Sequence, residues 1–567
     1  MKAEQPSLPN AEDLPPSSER QVAEQERTNA NVAGASGILA LGNIFSRVLG
    51  LARETMLTFL FGASGAVDAF QVAIIVPRAI YDLLIGGHIN GAIVPVLSEI
   101  IVTRGKDELW RVVSILMSLV CAALALLVLL IEIFAPQIVM AVASGADAGT
   151  VGLATDMLRM TAPALICMSL FAVFSGTLFA LRSFTLPAFA GVVFNACTVL
   201  VTLALVPSMA LQPSLGGFAS LNPFVLARPA SGIMVVALGW LIGAIAQVAL
   251  QLPGLQLRRL RLSIRWRHPA LRSIATLYAP VMFSLVMDTL IIRPFSYNIA
   301  NQTGAGGIAY MVWATTLIQF PQGLVATAIS IAILPTLARQ SSEMTEDGHR
   351  AFQDTLGLGL RLTMTLILPA ATGLFVLAIP IIALLFEHGA FGAADTQVTA
   401  QALRLYLIGL PFAAVDLLLV YAFYARKDTL TPALVGVVSL VCYMGAALLL
   451  FDSFGLFSLM IADSLKHFVH ASISGFLLWR RLDGFGSQRM AITVFKTAVA
   501  SVIMAVAALA TLPYLSAAFS AASIVHEALL VTVGALLYGG IFLSTARVLR
   551  LDELAWLWNL LRRRVEA

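Results

Sequence analysis

The stretch SRVLGLARETMLTFLFG (46–62) sets Arg47, Arg53 and Glu54 among Leu, Val, Phe and Gly. Ionisable groups at the centre of a bilayer cost about 2.5–3.5 kcal/mol each even on the lenient insertion scale. Seven positions separate Arg47 from Glu54, so on a helix they share a face, with Arg53 about 120° from Arg47. Gly50 lies between them and permits close approach of another helix or of a substrate. Two readings fit this pattern. The arginines snorkel, or form an internal Arg–Glu pair that only fixes helix packing. Alternatively they line a water-filled cavity and grip an anion. Phosphate suits that second role, because a guanidinium fork binds oxygens in a bidentate way and keeps its proton.

Other ionisable residues fall in apolar runs and invite the same weighing. Asp288 and Arg293 share one run, either as a mutual pair or as part of a cavity. Asp416, in LPFAAVDLLLVYAF, has no partner nearby in sequence and is a candidate ligand for a coupling cation or proton. Asp463, Lys466, His467 and His470 cluster in LMIADSLKHFVHASISGFLL, where i,i+3 and i,i+4 spacing favours self-neutralisation. Tyr81, Asp82 and His88 are further candidates to face a cavity. No zincin, nucleophile-elbow or Walker motif is present, and Cys121, Cys167, Cys197 and Cys442 lack metal-ligand spacing. The expectation is therefore a protein that is not an enzyme and has no catalytic or metal site. Its cofactor list is empty apart from a coupling cation or the membrane potential.

The elements that must position these residues follow from composition. Of 567 residues, 59% are hydrophobic and 12% charged, with mean hydropathy +0.89. A soluble domain carries about twice that share of charge, so the chain reads as an all-α polytopic membrane protein. Nothing basic and aromatic enough to bind nucleic acid stands out. Apolar runs of crossing length centre near 35–61, 66–100, 110–134, 152–180, 186–207, 230–252, 273–300, 306–337, 355–386, 397–424, 430–451, 454–479, 491–513 and 523–546. That makes about fourteen helices.

Alternate connections carry the basic residues: Arg104, Lys106 and Arg111; Arg182; the 258–272 arginines; Arg339 and Arg350; Arg426 and Lys427; Arg480, Arg481 and Arg489; and the end of the chain. The intervening ones carry almost none, Arg228 being the exception. The positive-inside rule then puts both termini in the cytoplasm. Three sequence pairs repeat at a shift of about 240 residues: GASGA with GAGGI, AIVPVLS with AILPTLA, and FALRSFTLPA with YARKDTLTPA. An even number of helices per shift makes the repeat parallel, as in two-lobed transporters that hold substrate between the lobes.

The expected organisation is a disordered cytoplasmic tail (1–33), an N-terminal lobe (34–252) and a basic cytoplasmic or interfacial segment (253–272). A C-terminal lobe (273–480), two additional helices (490–548) and a basic tail (549–567) follow. The 256–273 segment, LQLRRLRLSIRWRHPALR, is either a lipid-contacting interfacial stretch or an ordinary positive-inside loop.

Five stretches, SRVLGLARE, DAFQVAIIVPR, FPQGLVATAISIAILPTLA, LFEHGAF and FYARKDTLTP, together resemble the MurJ (MviN) family of the multidrug/oligosaccharidyl-lipid/polysaccharide flippase superfamily. The resemblance spreads over roughly residues 36–480 and implies fourteen helices. It also implies translocation of lipid II, an undecaprenyl-diphosphate-linked peptidoglycan precursor, across the bacterial cytoplasmic membrane by alternating access. The headgroup would pass through a cationic cavity and the lipid tail along a groove. Arg47 and Arg53 match the family's two first-helix arginines, and Glu54 replaces the usual Asp. Tyr81 and Asp82 stand where the family carries two arginines, Gly86 replaces a Glu, and Thr316 stands in an ATTL segment where the family has Ala-Asp-Arg-Leu. Arg293 lies several residues out of register with an Asp-Arg pair common in that helix.

The resemblance thus implies Arg47, Arg53, Glu54, Arg293, Asp288, Tyr81 and Asp82 as substrate-binding positions, in a cavity less cationic than is usual for the family. Lipid II, membrane lipids and a monomeric state are the implied partners and assembly. The alternatives are a flippase for another polyprenyl-diphosphate glycan, or a non-transporting scaffold of envelope synthesis.

Overall fold

The computed structural model describes residues 17–85, 93–205, 230–256, 259–263, 268–271, 274, 288–342, 345–482, 484, 489–519 and 523–554; the side chains of 17–36, 40, 80–85, 230–231 and 288–289 lie outside that description. Every extended element among the described residues is a helix. The first lobe holds α1 (Ser17–Phe61), α2 (Gly65–Ile85), α3 (Val94–Val142), α4 (Ala148–Thr161), α5 (Ala164–Ala180), α6 (Thr185–Leu205) and α7 (Met234–Gln251). The second holds α8 (Arg293–Asn301), α9 (Gly307–Pro321), α10 (Ala328–Ser342), α11 (Glu346–Val376), α12 (Ala378–Phe386), α13 (Ala393–Ala425), α14 (Leu430–Phe454) and α15 (Phe457–Arg481). Then come α16 (Met490–Ala518) and α17 (Ile524–Val548), which pack on α11 and α12.

Among the described residues nine helices are long and apolar enough to cross a membrane, or ten if the bent pair α4–α5 counts as one span. Three expectations change. The single crossing at 66–100 is divided between α2 and the start of α3, and α3 itself turns at Gly105. Gly105 has φ 82°, a left-handed conformation that glycine adopts without a Cβ clash. The tail expected to 33 is helical from Ser17, because its Glu, Gln, Arg and Ala residues are good helix formers. The tail expected from 549 begins folded back: Leu551 and Glu553 are buried, and the Glu553 carboxylate lies 3.0 Å from Arg361 Nε. Residues 1–16 and 555–567 lie outside the described residues.

Lipid tails are as apolar as leucine, so helices in a membrane associate through close packing and polar contacts rather than by escaping water. The α6–α7 seam shows both. Gly239 and Gly243 face Thr198 and Phe194, where an added Cβ would meet Phe194 O at 2.7 Å. Thr198 Oγ1 donates back to Phe194 O at 2.9 Å, leaving no stray hydroxyl. Gly42 lets α1 approach the Ala188 backbone of α6 in the same way. The outward faces of α3 and α14 carry exposed leucines such as Leu129 and Leu449, as a lipid-facing surface does.

The basic loops gather at one end of the bundle, here the basic end. At the other, closed end the lobes meet. The Asp68 carboxylate of α2 accepts hydrogen bonds from Gly306 N (2.6 Å) and Ala309 N (2.9 Å) at the start of α9. Ala390 N, between α12 and α13, donates to Phe59 O of α1 at 3.0 Å, and Asn298 Nδ2 donates to Ser144 Oγ at 2.6 Å. Trp313, fully buried, meets Phe391 edge-on at 5.4 Å behind this seam.

At the basic end Asp428 starts α14 by accepting from Thr431 N (3.0 Å) and Thr431 Oγ1 (2.6 Å), and it pairs with Arg481 of α15. Burial pushes its carboxyl up, but the Arg481 and Thr431 hydrogen bonds outweigh that and bring it down to about 2. A folded pKa below the unfolded value of about 3.9 means a contribution fully present above that pH and lost as pH falls through about 2. Arg481→Ala is expected to return the Asp428 titration toward the ordinary carboxylate range. Carbon NMR of labelled aspartate reads this directly, and an unmoved midpoint would refute the pairing.

Candidate functional site

Between the lobes lies a cavity of about 570 Å3, walled by α1, α2, α6 and α7 on one side and α8, α9, α13, α14 and α15 on the other. Along α1 it runs from exposed Asn43 to buried Glu54, so it deepens toward the closed end. Among the described residues five cations (Arg47, Arg53, Arg78, Arg293 and Lys466) and two carboxylates (Glu54 and Asp463) line it. The lining thus carries a net of three positive charges.

Arg53 is the most constrained of these. Its Nη1 donates to Asn195 Oδ1 at 3.0 Å and its Nη2 to Glu54 Oε1 at 2.7 Å. Asn195 is itself oriented, its Nδ2 donating to Ser46 O (3.2 Å) and Gly191 O (3.0 Å). Glu54 is buried and accepts a second hydrogen bond, from Trp313 Nε1 of α9 at 3.2 Å. These two bonds use two of the five guanidinium N–H groups, and Arg53 Nε is buried without a partner. Glu54 is therefore a clamp on Arg53 that also ties α1 to the second lobe.

Arg47 crosses between lobes at the other end of the cavity, donating from Nη1 to Gln319 O at 3.0 Å. Gly323 makes room for it, since a Cβ there would lie 2.5 Å from Arg47 Nη2. Arg47 and Arg53 point about 120° apart on a helix and nonetheless line one cavity, because the cavity wraps two faces of α1. On the second-lobe wall Ser296 Oγ and Tyr443 Oη share a 2.6 Å hydrogen bond. Lys466 Nζ lies 2.6 Å from Asp463 Oδ1 and 5.6 Å from the centre of the Tyr443 ring. The wall is thus aromatic and hydroxylated as well as charged, a surface that fits sugar and phosphate oxygens.

Of the residues singled out from sequence, Arg47, Gly50, Arg53, Glu54, Arg293, Thr316, Asp463 and Lys466 line the cavity. The side chains of Asp288, Tyr81 and Asp82 lie outside the described residues, as does His88 altogether. Asp416 is not in the lining; it is hydrogen-bonded to His470, a partner 54 positions away in sequence. Arg78, absent from the expected substrate-binding positions, and Lys466, expected to be neutralised by Asp463, both add positive charge to the lining, and Asn195, not singled out from sequence, lies there too. Arg78 stands in the quoted PR of the second-helix motif, one helical turn before Tyr81. Asn195 is a lone amide in the apolar run AFAGVVFNACTVL, a signal of the same kind as Arg47.

A family model described as lipid II flippase MurJ matches residues 57–533. A Burkholderia cenocepacia protein named lipid II flippase MurJ is 32% identical over 409 residues, covering 70% of this chain and 73% of its own. A Haemophilus influenzae protein named probable lipid II flippase MurJ is 27% identical over 489 residues, covering 82% and 89%. Among solved structures, a lipid II flippase MurJ in an inward closed conformation superposes with TM-score 0.71 at 22% identity, covering 90% of this chain and 99% of its own. An inward-facing multidrug resistance MATE family transporter superposes with TM-score 0.63 at 15% identity, covering 78% and 96%.

Proposed function

We infer the reaction from one premise: this chain belongs to the lipid II flippase MurJ family. It is a transporter rather than an enzyme, and it moves lipid II from one leaflet of the membrane to the other. The observation that carries the reading at the level of residues is the clamped Arg53. A guanidinium held by Asn195 and Glu54, with N–H groups left over, is pre-oriented in the lining of a cavity of net positive charge. Little ordering is then needed when a diphosphate arrives. Arg47, Arg78, Arg293 and Lys466 add the charge to hold it, while the hydroxyls of Tyr443 and Ser296 face the glycan.

The path follows from the two ends. The basic end faces the cytoplasm, the closed end faces outward, and both termini lie inside, on the strength of the basic-loop alternation. The headgroup enters from the cytoplasmic side and the lobes rock until the closed end opens. The prenyl chain stays in lipid beside the apolar outer helix faces. A monomer in the bacterial cytoplasmic membrane suffices, because the cavity is built within one chain.

A second cargo is favoured by one specific feature. Arg78 precedes Tyr81, where the family carries an arginine, by three residues, which moves a cation about 4.5 Å along α2 toward the closed end. A different polyprenyl-diphosphate glycan would suit such a shifted grip. Complementation separates the two. In a strain depleted of its own lipid II flippase, this protein is expected to restore growth. A well-expressed protein that fails to do so overturns the assignment to lipid II, and the lipid-linked glycan that accumulates then identifies the cargo.

A further inference from the structure

Asp463, Lys466, His467, His470 and Ser474 follow the spacing i, i+3, i+4, i+7, i+11 and form one polar stripe on α15. The stripe is about 16 Å long. It meets α13 and α14, both of which pack on α15. At its outer end Asp463 and Lys466 line the central cavity. His467 Nε2 lies 3.8 Å from Asp463 Oδ2. One turn further on, His470 Nδ1 is hydrogen-bonded to Asp416 Oδ1 of α13, with Ser474 Oγ at 3.4 Å. The two paired side chains are only 13% and 15% exposed, and a Cβ at Gly436 of α14 would lie 3.8 Å from His470 Nε2. A membrane-embedded carboxylate and imidazole that sit off the cavity, joined to it by a polar stripe, are costly to keep for packing alone.

We propose that the Asp416–His470 pair binds the proton that drives the transport cycle, loaded from the cavity along Asp463 and His467; the coupling role rests on the flippase reading. The ligand is chosen by donor chemistry. Hard metal cations take six or more oxygen ligands, whereas this pair offers one carboxylate beside an imidazole. Among the described residues no group of three or more His, Cys, Asp or Glu side chains is placed to hold a metal ion. Imidazole is the side chain suited to take up and release a proton under physiological conditions. Loading transfers one proton from cavity water to the pair and raises its net charge by one. Release returns that proton to water on the other side, and no other bond changes.

The pair is well placed to bias the lobes. Pro411, buried in α13 five residues before Asp416, has no N–H for the Leu407 carbonyl, so the helix is weakest just there. Beyond that point α13 leads to the closed end, where Asp395 accepts from Tyr310 Oη of α9 at 2.6 Å and the preceding turn holds Phe59 through Ala390. Among the described residues Tyr424 on α13 and His467 on α15 are coupled to the pair, with Tyr421 beside Tyr424 and with Asp463 and Lys466 beside His467, while Tyr443 on α14 is turned to Ser296 and Lys466. On α11, which also packs on α13, Arg361 is turned to Glu553 instead.

Two measurements test the proposal. The first uses the full-length protein in phosphatidylethanolamine–phosphatidylglycerol vesicles, with the membrane potential clamped and a pH gradient imposed. The steady-state distribution of a polyprenyl-diphosphate glycan is expected to shift about tenfold per pH unit for one coupled proton. Asp416→Asn and His470→Gln abolish that shift, while His268→Gln, at the basic end, retains it. A wild-type distribution that ignores the gradient overturns the proposal, as do variants that follow it normally. The second reads nitrogen NMR of labelled histidine in detergent, with no cargo. The His470 resonance is expected to respond to pH, to vanish in His470→Gln and to move in Asp416→Asn. A His470 that does not titrate overturns the site whatever the cargo. One that titrates in a protein moving no glycan supports the site and sinks the flippase reading instead.

Discussion

Arg47→Ala combined with Arg53→Ala lowers glycolipid translocation by at least about a hundredfold. Hydrogen bonds to charged groups contribute about 1.5–3 kcal/mol each, and each 1.4 kcal/mol is a factor of ten, so losing two such grips on a diphosphate reaches that range. The two positions contribute unequally to folding. Arg47 gives up a hydrogen bond to a carbonyl at the wetter end of the cavity. Removing Arg53 strands Glu54, only 4% exposed, with Trp313 as its remaining partner. Breaking one side of a buried ion pair costs about 3–5 kcal/mol, so Arg53→Ala alone confounds transport with stability.

Adding Glu54→Gln resolves this. The amide keeps an acceptor for Trp313 Nε1 without the charge, so the triple variant is expected to regain membrane yield and thermal stability but not transport. Translocation in vesicles and thermal unfolding in detergent check the two halves. Wild-type transport in the double variant would mean that the two arginines only pack helices and that the diphosphate is gripped elsewhere in the cavity.

The parts of this site that were legible in the sequence were those whose cost is local. Arg47 and Arg53 stand out because three ionisable residues within eight positions of an apolar run carry a local cost, and the alternation of basic loops orders the helices without any tertiary information. Lys466 shows the limit. Its i,i+3 pairing with Asp463 is real, at 2.6 Å, and on sequence grounds the pair looked self-contained. Pairing does not withdraw a side chain from a cavity, and both line it. Asp416 shows the converse, since its partner arrives from α15 and no local pattern announces it. The bend of α3 at Gly105 and the division of the expected second crossing escaped for another reason. Continuous apolar composition measures length available to span a membrane, not where a helix turns.

Asp68→Asn is expected to open the closed end, shifting the balance between lobe arrangements by about tenfold or more. Asp68 is 1% exposed, and its two carboxylate oxygens accept from Gly306 N and Ala309 N, the free donors at the start of α9. A carboxylate there satisfies orphan amides and opposes the positive end of the helix dipole. The amide of Asn offers one acceptor and turns a donor toward another N–H. That difference is worth about 1.5–3 kcal/mol, and it acts on the lobe interface rather than within a lobe.

Gly306→Ala attacks the same seam from the opposite side. Gly306 has φ 88°, and a Cβ there would lie 2.8 Å from the Ala63 carbonyl of the first lobe. Thr58→Cys, in a background lacking the four native cysteines, reports the outcome, because Thr58 is fully buried behind the seam. Its reaction with a membrane-impermeant maleimide is expected to be slow in the parent and at least about tenfold faster in either variant. Equal labelling in all three would mean that the Phe59–Ala390 and Ser144–Asn298 contacts hold the end shut by themselves. The expected result instead makes Asp68 the main latch, a small number of directional bonds that a transporter must break and remake in every cycle.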